Sequence, residues 1–378
     1  MHALFVTMDG GGNLPPALLL AREVTRRGGT ARFLGHATQR AAIERAGFAF
    51  LPYTAGREYD SAAPRSTASG LWQMTGVFAD RGIGRDAIAE ARREPTEVVV
   101  ADCLLWGALE ETVAAGLPVA SLVHTLWDYF RRNAAGPVGW VGRLHGAHPT
   151  AAFAAPSLSL VTARRDFELE PDAARPAGVH HVGVLWQDPP VQAHLDRGRP
   201  RVLLSLSTSS FPGQQRALQH CLDALADLPV DVVATTGPSI DPADLRAPDN
   251  AKVYRRLDHG EVLPTTSLVI GHGGHGTTVR ALAHGIPVLV LPMHPLMDQP
   301  AIGRAVVRHG AGRVLSKRAR PAEIRAVVEA LLADGPERAG AARLGESIRE
   351  QDGAVVAVDL LLSQLVHARR RRTRAGGP

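Results

Sequence analysis

Short apolar runs bounded by glycine, proline and polar clusters recur along the chain, and most are followed by a stretch with helical spacing. Residues 3–8 are apolar with little alternation, which predicts a parallel strand buried on both faces. Residues 9–13 read as a glycine-rich turn. Pro15 or Pro16 suits the first turn of a helix over 17–27, with Leu18, Leu19, Ala21 and Val24 facing inwards and Gly28 and Gly29 stopping it. Strands are expected at 30–34, 48–51, 97–101, 119–123 and 158–161, with helices at 39–46, 87–93 and 105–115. Such alternation implies a parallel sheet with right-handed crossovers. Two stretches carry no clear period: 54–82, around Leu71, Trp72 and Met74, and 129–150, with Trp140, His145 and His148.

Residues 186–200, WQDPPVQAHLDRGRP, have the proline and polar content of a linker. The pattern then restarts. Strands are expected at 202–206, 230–235, 252–254, 268–270 and 288–291, and helices at 214–225, 277–285, 301–309, 321–332, 339–349 and 354–366. The fold class is therefore α/β, with Rossmann-like βα domains over 1–185 and 201–352. A C-terminal helix over 353–366 and a disordered basic tail over 367–378 follow.

A length of 378 residues suits two domains with a core each, and 45% apolar with 21% charged residues is an ordinary globular composition. No apolar run approaches the roughly 18 residues of a spanning helix, and the N-terminal run reads as a strand rather than a signal peptide. A cytoplasmic protein without membrane insertion is expected. Cys103 and Cys221 sit in apolar surroundings, which argues against both a disulfide framework and a cysteine metal site. The net charge of +5 is concentrated in the run HARRRRTR at 367–374. That run has no aromatic interleaving, so a solvated end is preferred over a nucleic-acid site.

The most informative stretch is LVIGHGGHGTTVRALAHGIPVLVLPMHPLMDQP, residues 268–300. A strand end, a turn containing Gly271, His272, Gly273, Gly274, His275 and Gly276, and a helix opening at Thr277 and Thr278 together make an anion site. Free N–H groups and the helix dipole converge there, and glycines admit a ligand to the backbone. The spacing is neither the dinucleotide G-x-G-x-x-G nor a P-loop. Zinc lacks a third ligand at suitable spacing. An imidazole in the turn suits a diphosphate, because it donates a hydrogen bond and carries positive charge.

This stretch resembles the donor motif of the GT-B glycosyltransferases that use nucleotide-diphosphate sugars and decorate antibiotics. Their pattern, roughly H-x-G-x-G-T followed by an apolar strand and D-Q, is met by His272, Gly274, Gly276, Thr277, Asp298 and Gln299. The resemblance runs from the first strand to about residue 365. It implies two domains facing across a cleft, with the last helix crossing back to the first domain. It also implies that His272, Gly276 and Thr277 hold the diphosphate, that Thr208 adds a hydroxyl, and that the Leu257 backbone reads the base. Asp298 and Gln299 would bond the sugar hydroxyls. Ser207 stands where the family's S-L-G-T turn has glycine, and Thr236 lies in a neighbouring turn. No cofactor or metal is implied. The implied partners are a sugar nucleotide, thymidine diphosphate ahead of uridine diphosphate, and a natural-product acceptor selected by 54–82 and 129–150. A homodimer is allowed but not specified.

The departure is on the acceptor side. In the family the first turn reads G-H-x-x-P, its histidine is the general base, and an aspartate at the position of Asp102 orients it. Here Asn13 holds the histidine position, and an amide is no base near neutral pH. Three readings follow. Asp9, Asp102, His124 or Asp128 serves as the base in its place. Alternatively, the acceptor is an amine, acidic phenol or carbon nucleophile that needs little help, making the enzyme an N- or C-glycosyltransferase. Finally, the chain binds sugar nucleotide as a non-catalytic auxiliary to a true transferase. For Asn13 itself the bland alternative is a turn residue in left-handed geometry, and for Asp102 a helix cap.

Overall fold

The structure is a computed structural model that describes residues 1–63, 65–186, 191, 193 and 198–375. It divides into two compact units, Met1–Gln187 with Asp352–Pro378 and Asp188–Gln351. Most of the expected linker over 186–200 lies outside the described residues.

Unit 1 begins with β1 (His2–Val6), α1 (Leu14–Arg26), β2 (Thr30–Gly35), α2 (Arg40–Arg45) and β3 (Ala49–Pro52). Then come α3 (Thr67–Phe78), α4 (Arg81–Arg93), β4 (Val98–Asp102), α5 (Trp106–Ala114) and β5 (Val119–Val123). It continues with α6 (Trp127–Ala135), α7 (Pro137–Leu144), α8 (Pro149–Ala154), β6 (Leu158–Val161) and β7 (Val179–His181). The seven strands form one parallel sheet in the order β3-β2-β1-β4-β5-β6-β7. Alternate residues of β4 enter different cores. Val98 and Val100 join Phe5, Leu20 and Leu122, while Val99 and Ala101 join Leu4, Ile83 and Trp106. Helices cover both faces, which is why the strands read as unbroken apolar runs.

Unit 2 contains β8 (Arg201–Ser205), α9 (Gln214–Leu225), β9 (Asp231–Thr235), β10 (Ala251–Tyr254), α10 (His259–Val262) and β11 (Leu268–Gly271). After these come α11 (His275–Ala283), β12 (Val288–Val290), α12 (Gln299–Arg308), β13 (Gly312–Val314), α13 (Pro321–Leu332) and α14 (Pro336–Arg349). Its parallel sheet runs β10-β9-β8-β11-β12-β13. In each sheet the strand order reverses beside the first strand, between β1 and β4 and between β8 and β11. Loops leaving the carboxyl ends of such a pair diverge and leave a crevice, the usual ligand position of open α/β sheets.

Three expectations need correction. The aperiodic stretches are helical: α3 occupies much of 54–82, capped by Ser66 Oγ accepting the Ser69 N–H, and α6, α7 and α8 fill most of 129–150. In α7 the buried positions are glycines, Gly139 and Gly142, while Trp140 and Leu144 are 58% and 74% exposed. A Cβ on Gly142 would stand 2.4 Å from the Trp106 ring. The helix packs by its bare backbone, so hydrophobic periodicity does not mark it. Lastly, α15 (Gly353–Ala375) runs through most of the tail expected to be disordered. Arginine and alanine are good helix formers, and no glycine or proline intervenes before Gly376. Among the described residues no helix is long and apolar enough to cross a membrane.

Candidate active site

In unit 1 the first turn and the end of β4 meet at the sheet's switch point. Asn13 precedes α1 in right-handed αR geometry, not the left-handed geometry a turn asparagine suggests, and its side chain makes no cap to the helix. Instead its Nδ2 donates to Asp102 Oδ2 at 2.6 Å. Gly10 makes the room: a Cβ there would lie 2.6 Å from the Asn13 amide oxygen. Asp102 also shapes the entry to α5, because its Oδ1 accepts the Leu104 N–H at 2.9 Å. The helix cap considered for Asp102 is not made: Leu105 is the N-cap of α5 and receives no side-chain cap, while Asp102 holds the turn before it.

The other carboxylates weighed as bases are committed elsewhere. Asp9 accepts from Thr38 Oγ1 at 2.9 Å, Ser61 Oγ at 2.8 Å and the Ser61 N–H at 3.1 Å. Its own N–H donates to His36 Nδ1. Asp9 therefore fastens the 54–63 loop to the first turn, a structural task that disfavours it as a base. Asp128 is fully buried, paired with Arg175 at 2.8 Å, and accepts the Glu170 N–H at 3.0 Å.

In unit 2 the turn after β8 and the turn after β11 leave the sheet side by side, since Ser205 and Gly271 are in register. The first intrahelical bond of α11 runs from Thr278 N–H to Gly274 O, so Gly276 and Thr277 lie in the turn whose N–H groups have no helical partner. Gly276 is exposed, and a Cβ there would meet nothing within 4 Å. That face is open to a ligand approaching the free N–H groups. Gly274 serves a different purpose. A Cβ at 274 would lie 2.5 Å from His272 Nε2, so glycine is what lets the imidazole fold over the turn. Burial pushes the His272 pKa down to about 4, despite a hydrogen bond to the Ser205 backbone. Before an anion binds, the ring is therefore neutral near pH 7. It acts as a dipolar hydrogen-bonding group.

The comparisons with known proteins agree with this fold. Residues 219–358 match the family model described as erythromycin biosynthesis protein CIII-like, C-terminal domain. The 4'-demethylrebeccamycin synthase of Lentzea aerocolonigenes is 27% identical over 422 residues, covering 95% of this chain and 98% of its own. The glycosyltransferase of kitacinnamycin superposes with a TM-score of 0.78 at 24% identity, covering 96% of this chain and 98% of its own. The glycosyltransferase VinC, solved in complex with DTDP, gives 0.73 at 21% identity over 97% and 100%. The chain is a GT-B glycosyltransferase.

Within the glycosyltransferase, the remaining motif residues fall at the same sheet edge. Thr208 is exposed in the turn after β8, and Leu257 is half-buried after β10, just before Asp258 caps α10 through the Gly260 N–H at 2.8 Å. Asp298 sits at the N-cap of α12. Gln299 also has a structural task. Its Oε1 accepts the Met293 and His294 N–H groups at 2.7 and 3.0 Å, so its amide oxygen holds the preceding loop. Ser207 adopts φ 117°, a glycine conformation carried by a serine, with its Oγ accepting the Ser209 N–H at 3.0 Å. Glycine is the residue that adopts this turn geometry without strain, and here a serine carries it.

Sequence reasoning missed Lys317. Its Nζ donates to Met293 O at 2.7 Å and Pro212 O at 2.9 Å, tying the loop after β8 to the loop before Asp298. Lys317 is one of only two lysines in an arginine-rich chain, which was the available signal.

Proposed function

We propose that this glycosyltransferase moves a sugar, a deoxysugar above all, from a nucleoside diphosphate to a small natural-product acceptor by single displacement, with inversion at the anomeric carbon. Thymidine diphosphate is the preferred carrier and uridine diphosphate the second. The observation that carries the reading is the turn from His272 to Thr277, with a neutral imidazole packed over Gly274 and an open face at Gly276. The leaving diphosphate would meet the α11 dipole and its first-turn N–H groups, which stabilise developing negative charge without a metal. The antibiotic-related names of the relatives support the acceptor class, and the DTDP complex of VinC supports the carrier.

The test is thermal unfolding with thymidine, uridine and guanosine diphosphates and a dinucleotide control. A ligand at about 100 times its Kd adds roughly 2.7 kcal/mol to the folded state. Stabilisation by thymidine diphosphate, abolished in His272→Ala, is expected. Absence of a shift with every diphosphate removes the reading. A product with the same anomeric configuration as its donor removes the single displacement.

Asn13 favours one other reading, a sugar-nucleotide-binding auxiliary of another transferase, because its amide accepts no proton. Donor turnover by the isolated chain separates the two.

A further inference from the structure

The Asp102 carboxylate has a second neighbour. His124, directly after β5, brings Nδ1 to 3.8 Å from Asp102 Oδ2. That nitrogen is buried and has no hydrogen-bond partner among the described residues. The Phe130 ring of α6 stands edge-on to the imidazole at 4.8 Å. The adjacent Cys103 sulfur is occupied by the His124 backbone N–H, and burial pushes its thiol well up. It stays protonated, a poor nucleophile and a poor metal ligand. Among the described residues, the ionisable groups facing His124 are Asp102, the last residue of β4, and Cys103, directly after it. Asn13, before α1, and Phe130 add no charge.

We infer that His124 is the general base of the transfer, with Asp102 orienting its ring and Asn13 fixing Asp102. The inference rests on the transferase reading above. Asn13 supplies Asp102 with the N–H that a histidine at position 13 would give, but cannot take a proton. Asp9 and Asp128 are engaged by other groups, whereas His124 has a buried nitrogen in need of an acceptor and a carboxylate within an ångström of hydrogen-bonding range. Such contacts are long in unliganded sites and tighten on binding. With Nδ1–H turned to Asp102, Nε2 is the basic atom. The acceptor's proton passes to Nε2 as the acceptor atom bonds the anomeric carbon. The bond from that carbon to the diphosphate breaks, and the diphosphate leaves with the electron pair.

The experiment uses the full chain with TDP-glucose, in the presence of a phenolic acceptor and with water alone, following released TDP from about pH 5.5 to 9. His124→Gln is expected to lower turnover at least about 100-fold and to abolish the acid limb of the pH profile. The KM for TDP-glucose and the thermal shift given by TDP should not change, which also reports that the variant is folded. Turnover within about threefold of the parent, with the acid limb intact, overturns the inference. A second measurement needs no turnover: ¹⁵N-imidazole titration of His124 in the parent and in Asp102→Asn. Removing the carboxylate charge should move the His124 midpoint down, and an unmoved midpoint overturns the inference even if TDP-glucose is not consumed. Failure of TDP to stabilise the parent speaks only against the sugar-nucleotide reading.

Discussion

Asn13 donates its side-chain amide to Asp102 across 2.6 Å, and the two residues are 5% and 6% exposed. The donor is a neutral amide, and it holds the carboxylate in place. Asn13→Ala strands a buried carboxylate without that partner, which costs about 1.5–3 kcal/mol. Equilibrium urea unfolding at neutral pH checks this. An unchanged midpoint would show that Asp102 does not depend on the contact.

Ser207 gives a prediction of opposite sign. A non-glycine residue at positive φ stores about 1–3 kcal/mol of strain. Glycine relieves it but costs chain entropy and the Oγ contact to Ser209. Ser207→Gly should therefore stabilise unit 2 by roughly 0.5–1 kcal/mol, read as a raised Tm. A fall in Tm would mean that the Oγ contact outweighs the strain.

Gly274 and Gly276 should separate folding from binding. Gly276→Ala adds a methyl group to open space in the first turn of α11. Folding is expected to be unchanged or better by up to about 1 kcal/mol. Affinity for TDP should fall at least about tenfold, because the methyl group fills the approach to the N–H groups. Gly274→Ala must displace the His272 ring and should weaken both. Calorimetric titration beside thermal melts gives the two readouts. Unchanged TDP affinity in Gly276→Ala would place the anion elsewhere.

His272 makes a pH prediction. Its folded-state pKa of about 4 lies below the unfolded value of about 6.5, so the unfolded chain takes the proton first as pH falls. The stability tied to its neutral ring is complete above about pH 6.5 and is lost as pH drops towards 4, by at most about 3 kcal/mol. His36, His259 and His284 have burial-lowered values too, so the comparison is between the parent and His272→Gln. The variant should lose less stability between about pH 7.5 and 5 in urea melts. Equal losses would show that His272 titrates normally.

Much of the fold was legible because buried parallel strands announce themselves. Val98–Ala101, Val202–Leu204 and Leu268–Ile270 are apolar on both faces, and the structure buries them on both. The turn from Gly271 to Gly276 was legible because its glycines and histidines are close in sequence. What stayed hidden depends on distant partners. Asp9 looked available until Thr38 and Ser61 were seen to hold it. The neutral state of His272 follows from burial, which spacing does not reveal. α7 was invisible because its packing face is glycine. The Asp102–His124 approach joins the ends of neighbouring strands, a contact that the strand order supplies and the chain order does not.

Unit 1 is assembled from two segments with all of unit 2 between them. Val358 and Leu361 of α15 are buried in the same core as Leu20 and Phe5, and Arg27 of the segment ending α1 pairs with Asp359. During translation the first unit therefore emerges with an open flank, and the core around Leu20 lacks Val358 and Leu361 while residues 188–351 are made. Unit 2, continuous in sequence, can close before the unit that precedes it on the ribosome. The order of maturation runs against the order of synthesis. A nascent chain paused before α15 presents chaperones and proteases with an apolar groove that the finished protein has sealed.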